Sequence, residues 1–214
     1  MKKLISSIAI LTLSLSSVSF ANSTEKDPFY LGMQYYEQQD YSQAIKWFTK
    51  SAEQGDSVAQ YNLALMYETG KGAKQDYPQA VKWYTKAAEQ GDANAQLNLA
   101  VMYARGNGVK QDYAQAIKWF TKAAEQGDDY AQYNLALMYN DGKGVKQDYT
   151  QAVKWYTKAA EQGNAVAQYS LAAMYNKGHG VKESGKKALY WIKKAAKNGH
   201  KKAQKLLKEI GVKY

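Results

Sequence analysis

An all-α fold, a superhelical solenoid of tandem helical hairpins, is predicted for this 214-residue chain by three observations. The first is strict self-similarity: Trp47, Trp83, Trp119, Trp155 and Trp191 stand 36 residues apart. The glycines Gly55, Gly91, Gly127, Gly163 and Gly199, the alanines Ala44, Ala80, Ala116, Ala152 and Ala188, and the leucines Leu63, Leu99, Leu135, Leu171 and Leu207 share that register. Several residue types in one period mark a repeat architecture. The second is apolar spacing within each unit, where Ala59, Leu63, Met66 and Tyr67 recur as on one face of a helix. The third is punctuation, with a capping residue before each apolar stretch and a glycine after it.

The chain opens with Lys2 and Lys3, an uncharged apolar run from Leu4 to Val18, and Ser19-Phe20-Ala21. That pattern predicts a secretory signal peptide over residues 1–21, cleaved after Ala21. The product is expected in the periplasm or outside a bacterial cell, with no transmembrane span left after cleavage. Residues 22–27 are then a short linker, 28–55 an N-terminal capping hairpin, 56–199 four 36-residue repeats, and 200–214 a basic C-terminal capping helix. With no cysteine, neither a disulfide framework nor a thiolate metal site is available after export.

Each unit reads as two helices. The first starts at Asp56, Asp92, Asp128 or Asn164, whose side-chain oxygen can accept an orphan backbone N–H. It ends where a glycine such as Gly70 can take the left-handed conformation. A glycine-containing loop leads to Asp76-Tyr77-Pro78-Gln79, an N-cap with Gln three residues later, able to reach back as a capping box. Asp112 with Gln115 and Asp148 with Gln151 repeat it. The second helix, expected over Gln79–Gln90, sets Trp83 and Tyr84 against Ala80, Ala87 and Ala88. Small residues let helices approach, and the tryptophans are expected to be structural, filling the seam between successive hairpins. No hairpin buries its apolar face alone, so stacking makes one continuous core.

Ala95-Gln96-x-Asn98-Leu99-Ala100-x-Met102-Tyr103, Gly106-x-Gly108-Val109 and Ala116-x-Lys118-Trp119-Phe120-x-x-Ala123-Ala124-x-x-Gly127, with counterparts from about residue 28 to 207, resemble the Sel-one-like repeats, relatives of the tetratricopeptide repeat. The first unit departs, lacking the glycine loop, and resembles a plain tetratricopeptide hairpin. In the last, Glu183-Ser184-Gly185 replaces the Gln-Asp-Tyr entry. The resemblance implies a concave groove lined by first helices, and ligands that are partner proteins or extended peptides. Groove candidates in this register are Val58, Tyr61, Asn62 and Leu65 with their counterparts Asn98, Asn134, Tyr133 and Tyr169, together with Tyr130. Asn62, Asn98 and Asn134 form a ladder whose amides can bracket a peptide backbone, or instead bond to neighbouring helices. Tyr67, Tyr103, Tyr139 and Tyr175 are expected in the core, and Gln60, Gln96, Gln132 and Gln168 are expected to tie adjacent turns.

Charge falls unevenly: residues 177–214 hold 12 lysines and 2 glutamates, whereas residues 22–176 are net −2. The basic end reads either as a solvated cap or as a foot for an anionic envelope surface. Secretion and the absence of aromatics interleaved with these lysines argue against nucleic acid. Catalytic, cofactor and metal motifs are lacking. His179 lies between two glycines and His200 stands where other units place an N-cap. Ser184-Gly185-Lys186-Lys187 fits the serine-x-x-lysine of penicillin-interacting enzymes, but without companion Ser-Asp-Asn or Lys-Thr-Gly segments Ser184 reads as a substitute helix cap.

Overall fold

The structure, a computed structural model, describes residues 27–213. The signal segment and its cleavage after Ala21 lie outside the described residues. Eleven helices follow one another, with no strand among the described residues: α1 (Pro28–Glu37), α2 (Tyr41–Glu53), α3 (Ser57–Thr69), α4 (Tyr77–Glu89), α5 (Ala93–Arg105), α6 (Tyr113–Glu125), α7 (Asp129–Asp141), α8 (Tyr149–Glu161), α9 (Ala165–Lys177), α10 (Gly185–Lys197) and α11 (Lys201–Glu209). Extensive packing joins only helices adjacent in the chain, as a stack of hairpins requires.

The first helices start and stop for the expected reasons. Asp56 Oδ1 accepts the Ala59 N–H at 2.9 Å, Asp92 that of Ala95 at 2.7 Å, and Asn164 that of Ala167 at 2.9 Å. His200 is indeed the N-cap of α11, its Nδ1 accepting the Ala203 N–H at 3.3 Å. At the other end Gly70 has φ 72°, and its N–H returns to the Met66 carbonyl. The first hairpin, lacking that loop, turns on Gln38–Asp40 with Gln39 at φ 62°.

The second helices depart from expectation in two ways. They begin at Tyr77, Tyr113 and Tyr149, two residues before the Gln79 start. Only half of the capping box forms: Asp76 Oδ1 accepts the Gln79 N–H at 2.9 Å, but the Asp76 N–H donates to the Tyr67 carbonyl at 2.9 Å. Asp112, Asp148 and Ser184 donate to Tyr103, Tyr139 and Tyr175 in the same way. The preceding helix has taken the donor that the glutamine side chain would have satisfied. Gln75 instead donates to the Glu68 carbonyl at 2.7 Å, closing the loop.

The loop glycines do more than connect. A Cβ on Gly72 would lie 2.5 Å from the Tyr41 carbonyl oxygen, so this loop seats directly on the start of α2 in the previous hairpin. Lys71 beside it donates to the Tyr36 hydroxyl at 2.9 Å and lies over the Tyr41 ring.

The core is a column of alanine, leucine and methionine threaded by buried glutamines. Gln60 Nε2 donates to the Ala52 carbonyl at 3.0 Å, and Gln60 Oε1 accepts from Gln90 at 2.7 Å. Gln96, Gln132 and Gln168 repeat both bonds. Each ties three successive second- and first-helix segments, and each buried amide is satisfied.

The tryptophans correct the expectation of uniform seams. Trp83, Trp119, Trp155 and Trp191 are buried, while Trp47 is half-exposed. Among the described residues no hairpin precedes the one that holds Trp47, and only α11 follows the one that holds Trp191. The next position is more deeply buried: Phe48, Tyr84, Phe120 and Tyr156 are at most 2% exposed, with Phe48, Tyr84 and Tyr156 set against aromatic rings of the first helix of their own hairpins. Lysines one residue before and three after roof Trp83, Trp119 and Trp155, with Lys86 Nζ 4.5 Å from the Trp83 ring centre and Lys122 Nζ 4.6 Å from that of Trp119.

Candidate functional site

The first helices α3, α5, α7 and α9 present one side to solvent, because Ala59, Leu63, Ala64 and Met66 and their counterparts are spent on the core. What remains at the surface is the face bearing Val58, Tyr61, Asn62 and Leu65. Val58, Tyr130 and Val166 occupy one repeat position and are 48%, 53% and 45% exposed. Tyr61, Asn62, Leu65, Asn98, Tyr133, Asn134 and Tyr169 are half-buried. Tyr67, Tyr103, Tyr139 and Tyr175 are half-buried against the core.

The asparagines do not behave alike, and the aromatic residue 14 positions earlier decides how each bonds. Asn98 follows Tyr84 and donates to its hydroxyl at 3.1 Å. Asn62 and Asn134 follow Phe48 and Phe120, which offer no acceptor, so their amides turn back to the carbonyls of Val58 at 2.9 Å and Tyr130 at 2.8 Å. Where the position is Ser170, following Tyr156, the amide is replaced by a short hydroxyl side chain beside the tyrosine. The Tyr84 hydroxyl also donates to Glu68 Oε2 at 2.7 Å, so it is held from α3 and α5 together. Burial, then the Glu68 charge, pushes the Tyr84 hydroxyl well above its ordinary pKa. Burial raises Tyr156 as well, with Tyr133 and Asp141 adding to it.

Tyr61 tilts over Tyr84 and Tyr133 over Tyr156, both with ring centres 5.8 Å apart. Tyr169 stacks on His200 at 4.4 Å. Burial, followed by the Lys202 charge, lowers the His200 pKa, in keeping with a neutral ring that accepts a hydrogen bond.

Between α7 and α9, floored by α8, this face opens into a cavity of about 370 Å³. Its walls are Leu137, Ala173, Met174 and the rings of Tyr149, Tyr156 and Tyr169; Asn140, Ser170, Lys177 and His179 supply its polar edge. The cavity arises where the repeat departs from itself. Ala173 stands where other units carry Leu65, Val101 and Leu137, and Ser170 where they carry asparagine. Recurrent residues point to the ladder; Ser170, Ala173, Glu68, Tyr84 and Tyr156 are legible only as register positions whose identities covary.

The remaining sequence candidates are structural in geometry. Ser184 Oγ accepts the Lys187 N–H at 3.3 Å as the cap of α10, while the Lys187 ammonium lies over the Tyr175 ring. His179 stacks on Tyr149 at 4.5 Å. Among the described residues no three His, Asp or Glu gather to hold a metal, and no helix is long and apolar enough to cross a membrane. The C-terminal lysines line an open hollow of about 820 Å³ formed by Lys201, Gln204, Lys205, Lys208, Gly211, Val212 and Lys213.

A family model described as the Sel1 repeat matches residues 29–56, 57–92, 93–128, 129–164 and 165–200 in tandem. The chain belongs to the Sel1 repeat family. Sel1 repeat proteins act as protein-interaction scaffolds and are generally non-catalytic. Among solved structures the chain is similar to c5321, a protective antigen present in uropathogenic Escherichia coli strains and displaying this fold, at 38% identity and TM-score 0.81; the match covers 83% of this chain and 39% of that one. A Sel1 repeat protein from Oxalobacter formigenes is similar at 40% identity and TM-score 0.76, covering 84% and 73%. Helicobacter pylori cysteine rich protein B is similar at 26% identity and TM-score 0.51, covering 62% and 96%. The chain therefore spans less than half the length of the E. coli antigen. No curated protein matches the chain.

Proposed function

We propose that this Sel1 repeat chain is an exported bacterial scaffold that holds a partner protein or extended peptide along the face of its first helices. The observation that carries this reading is the exposed position occupied by Val58, Tyr130 and Val166 in α3, α7 and α9, with Asn94 standing there in α5. A single exposed apolar side chain on a surface is ordinary, but apolar residues recurring at one repeat position along one face mark a contact surface. The rigid stack beneath pre-shapes that face, so little ordering entropy is lost on binding. Export is inferred from the Lys2–Ala21 pattern and accords with the bacterial origin of the similar structures. Affinity capture from envelope and culture-medium fractions tests it, comparing the unaltered protein with Val58→Asp, Tyr130→Asp and Val166→Asp combined. Loss of partners in the variant is expected; equal recovery contradicts the reading. Intact mass of the exported protein checks for a chain beginning at Asn22.

A second reading rests on the hollow lined by Lys201, Lys205, Lys208 and Lys213, a concentration of positive charge suited to an anionic envelope surface. Sedimentation with anionic vesicles is expected to fall as salt rises. Absence of binding at low salt contradicts it.

A further inference from the structure

At the cavity between α7 and α9 two neighbouring positions of the first-helix face carry smaller side chains than their counterparts. At the earlier junctions Leu65, Val101 and Leu137 project from the register position that Ala173 occupies here, and asparagine occupies that of Ser170. The deleted volume leaves a hole walled by Leu137, Met174 and three tyrosine rings, one of them, Tyr149, backed by His179 into a stacked plate. At about 370 Å³ it is at the small end of ligand pockets and suits a single large side chain rather than an extended small molecule. Rings favour rings, through tilted and offset contacts with edge and face complementary.

Charge narrows the occupant further. Lys177 closes α9 at the mouth of the hole, and among the described residues no carboxylate pairs with it; the ion pairs are Lys143 with Asp141 and Lys205 with Glu209. The nearby Asp141 carboxylate is engaged, taking Lys143 at 3.3 Å and the Asn140 amide at 2.9 Å. An uncompensated ammonium beside an aromatic-walled hole complements an occupant that is aromatic inside and anionic at its entrance.

Resting on the reading of the first-helix face as the binding surface, the geometry points to the α7–α9 cavity as the anchoring pocket for one aromatic side chain of the partner peptide, with an adjacent carboxylate meeting Lys177. The carboxylate comes either from a free chain terminus or from an acidic neighbour. The aromatic ring takes the place that leucine or valine fills from within at the other junctions.

Small probes test this on the folded protein by nuclear magnetic resonance, following the backbone amide signals of Ser170, Ala173 and His179. The probes are N-acetyl-phenylalanine, which carries a terminal carboxylate, N-acetyl-phenylalaninamide, N-acetyl-phenylalanyl-glutamyl-amide, and N-acetyl-leucinamide. The phenylalanine amide is expected to bind about 3- to 10-fold more tightly than the leucine amide, the usual worth of an aromatic pair. Either carboxylate is expected to add about two- to five-fold, and Lys177→Gln to remove that increment. The free terminus and the acidic neighbour are distinguished by which probe gains.

Ala173→Leu and Ser170→Asn, each restoring the residue of another unit, refill the hole and are expected to abolish the shifts while keeping a cooperative melting transition at or above that of the unaltered protein. Equal response to the leucine and phenylalanine amides, no response at about 10 mM probe, or shifts that survive in both variants overturn the assignment. In partner capture, undiminished recovery by Ala173→Leu overturns the anchoring pocket yet leaves the groove reading standing, whereas undiminished recovery by the Val58, Tyr130 and Val166 variant overturns the groove reading itself.

Discussion

The junction around Tyr84 and the junction around Tyr156 are built from the same parts and differ in what fills them. At the first, Tyr84 is held by Glu68 from one side and Asn98 from the other, with Val101 packed on the same face. At the second, Asn140 and Ser170 take those two places, Ala173 replaces the larger residue, and the face opens into a cavity. Three shortened side chains convert a packed seam into a recess without disturbing the helices around it. The lesson is that a repeat separates its roles: register residues hold the stack, and variable positions are free to carry specificity.

What the two junctions share sets the largest effects. Trp83→Ala and Trp155→Ala are each expected to cost ~3–5 kcal/mol, because both indoles are buried. Chemical denaturation measures this. A cost below ~1 kcal/mol at either would break the claim that the seams are equivalent. Trp47→Ala is expected to cost less than either, since Trp47 is half-exposed.

The next effect separates them. Tyr84→Phe strands Glu68 and Asn98 without the hydroxyl that joins them and is expected to cost about 1–3 kcal/mol. Tyr156→Phe is expected to cost less, because Tyr156 lines an open cavity that water can enter. Equal costs in denaturation would erase the distinction. Ala173→Leu is expected to raise stability by about 0.5–2 kcal/mol by filling that cavity, and a loss of stability would show that the site cannot accept the side chain that its counterparts carry.

The smallest effect lies at the C-terminal end. The folded His200 pKa is lowered by burial and then by Lys202, so the unfolded chain binds the proton first as pH falls. Stability is therefore full above about 6.5 and declines as pH drops from there toward the depressed folded value. A protonated ring also loses its acceptor for the Ala203 N–H. Melting between pH 7.5 and 6 should show the decline in the unaltered protein and less of it in His200→Asn, which copies the cap at Asn164. No difference between the two would show that another group titrates.

Recurrence made the fold legible. Tryptophan, glycine, alanine and leucine in one register announce hairpins, and the Asp and Gly that bound them announce caps, all borne out in α3 to α10. Recurrence could not show that Trp47 is half-exposed while Trp83 is buried, because a period treats every unit alike. Nor could it foresee that the Asp76 N–H would serve the Tyr67 carbonyl, which approaches through tertiary packing rather than sequence proximity. The asparagine ladder looked uniform because the positions match, yet its bonding depends on whether Phe48, Tyr84 or Phe120 lies beneath. The cavity is written where the pattern fails, at Ser170 and Ala173.

Site-specific photo-cross-linking in bacteria from Val166, near the cavity on α9, and from Val58, its counterpart on α3, tests the contrast most directly, since the two positions are matched in exposure at 45% and 48%. A partner held along the first-helix face and anchored at the recessed junction is expected to cross-link from both positions, with Ala173→Leu weakening the adduct at 166 more than the adduct at 58. No adduct from either position, or an adduct from 166 indifferent to Ala173→Leu, would contradict the account.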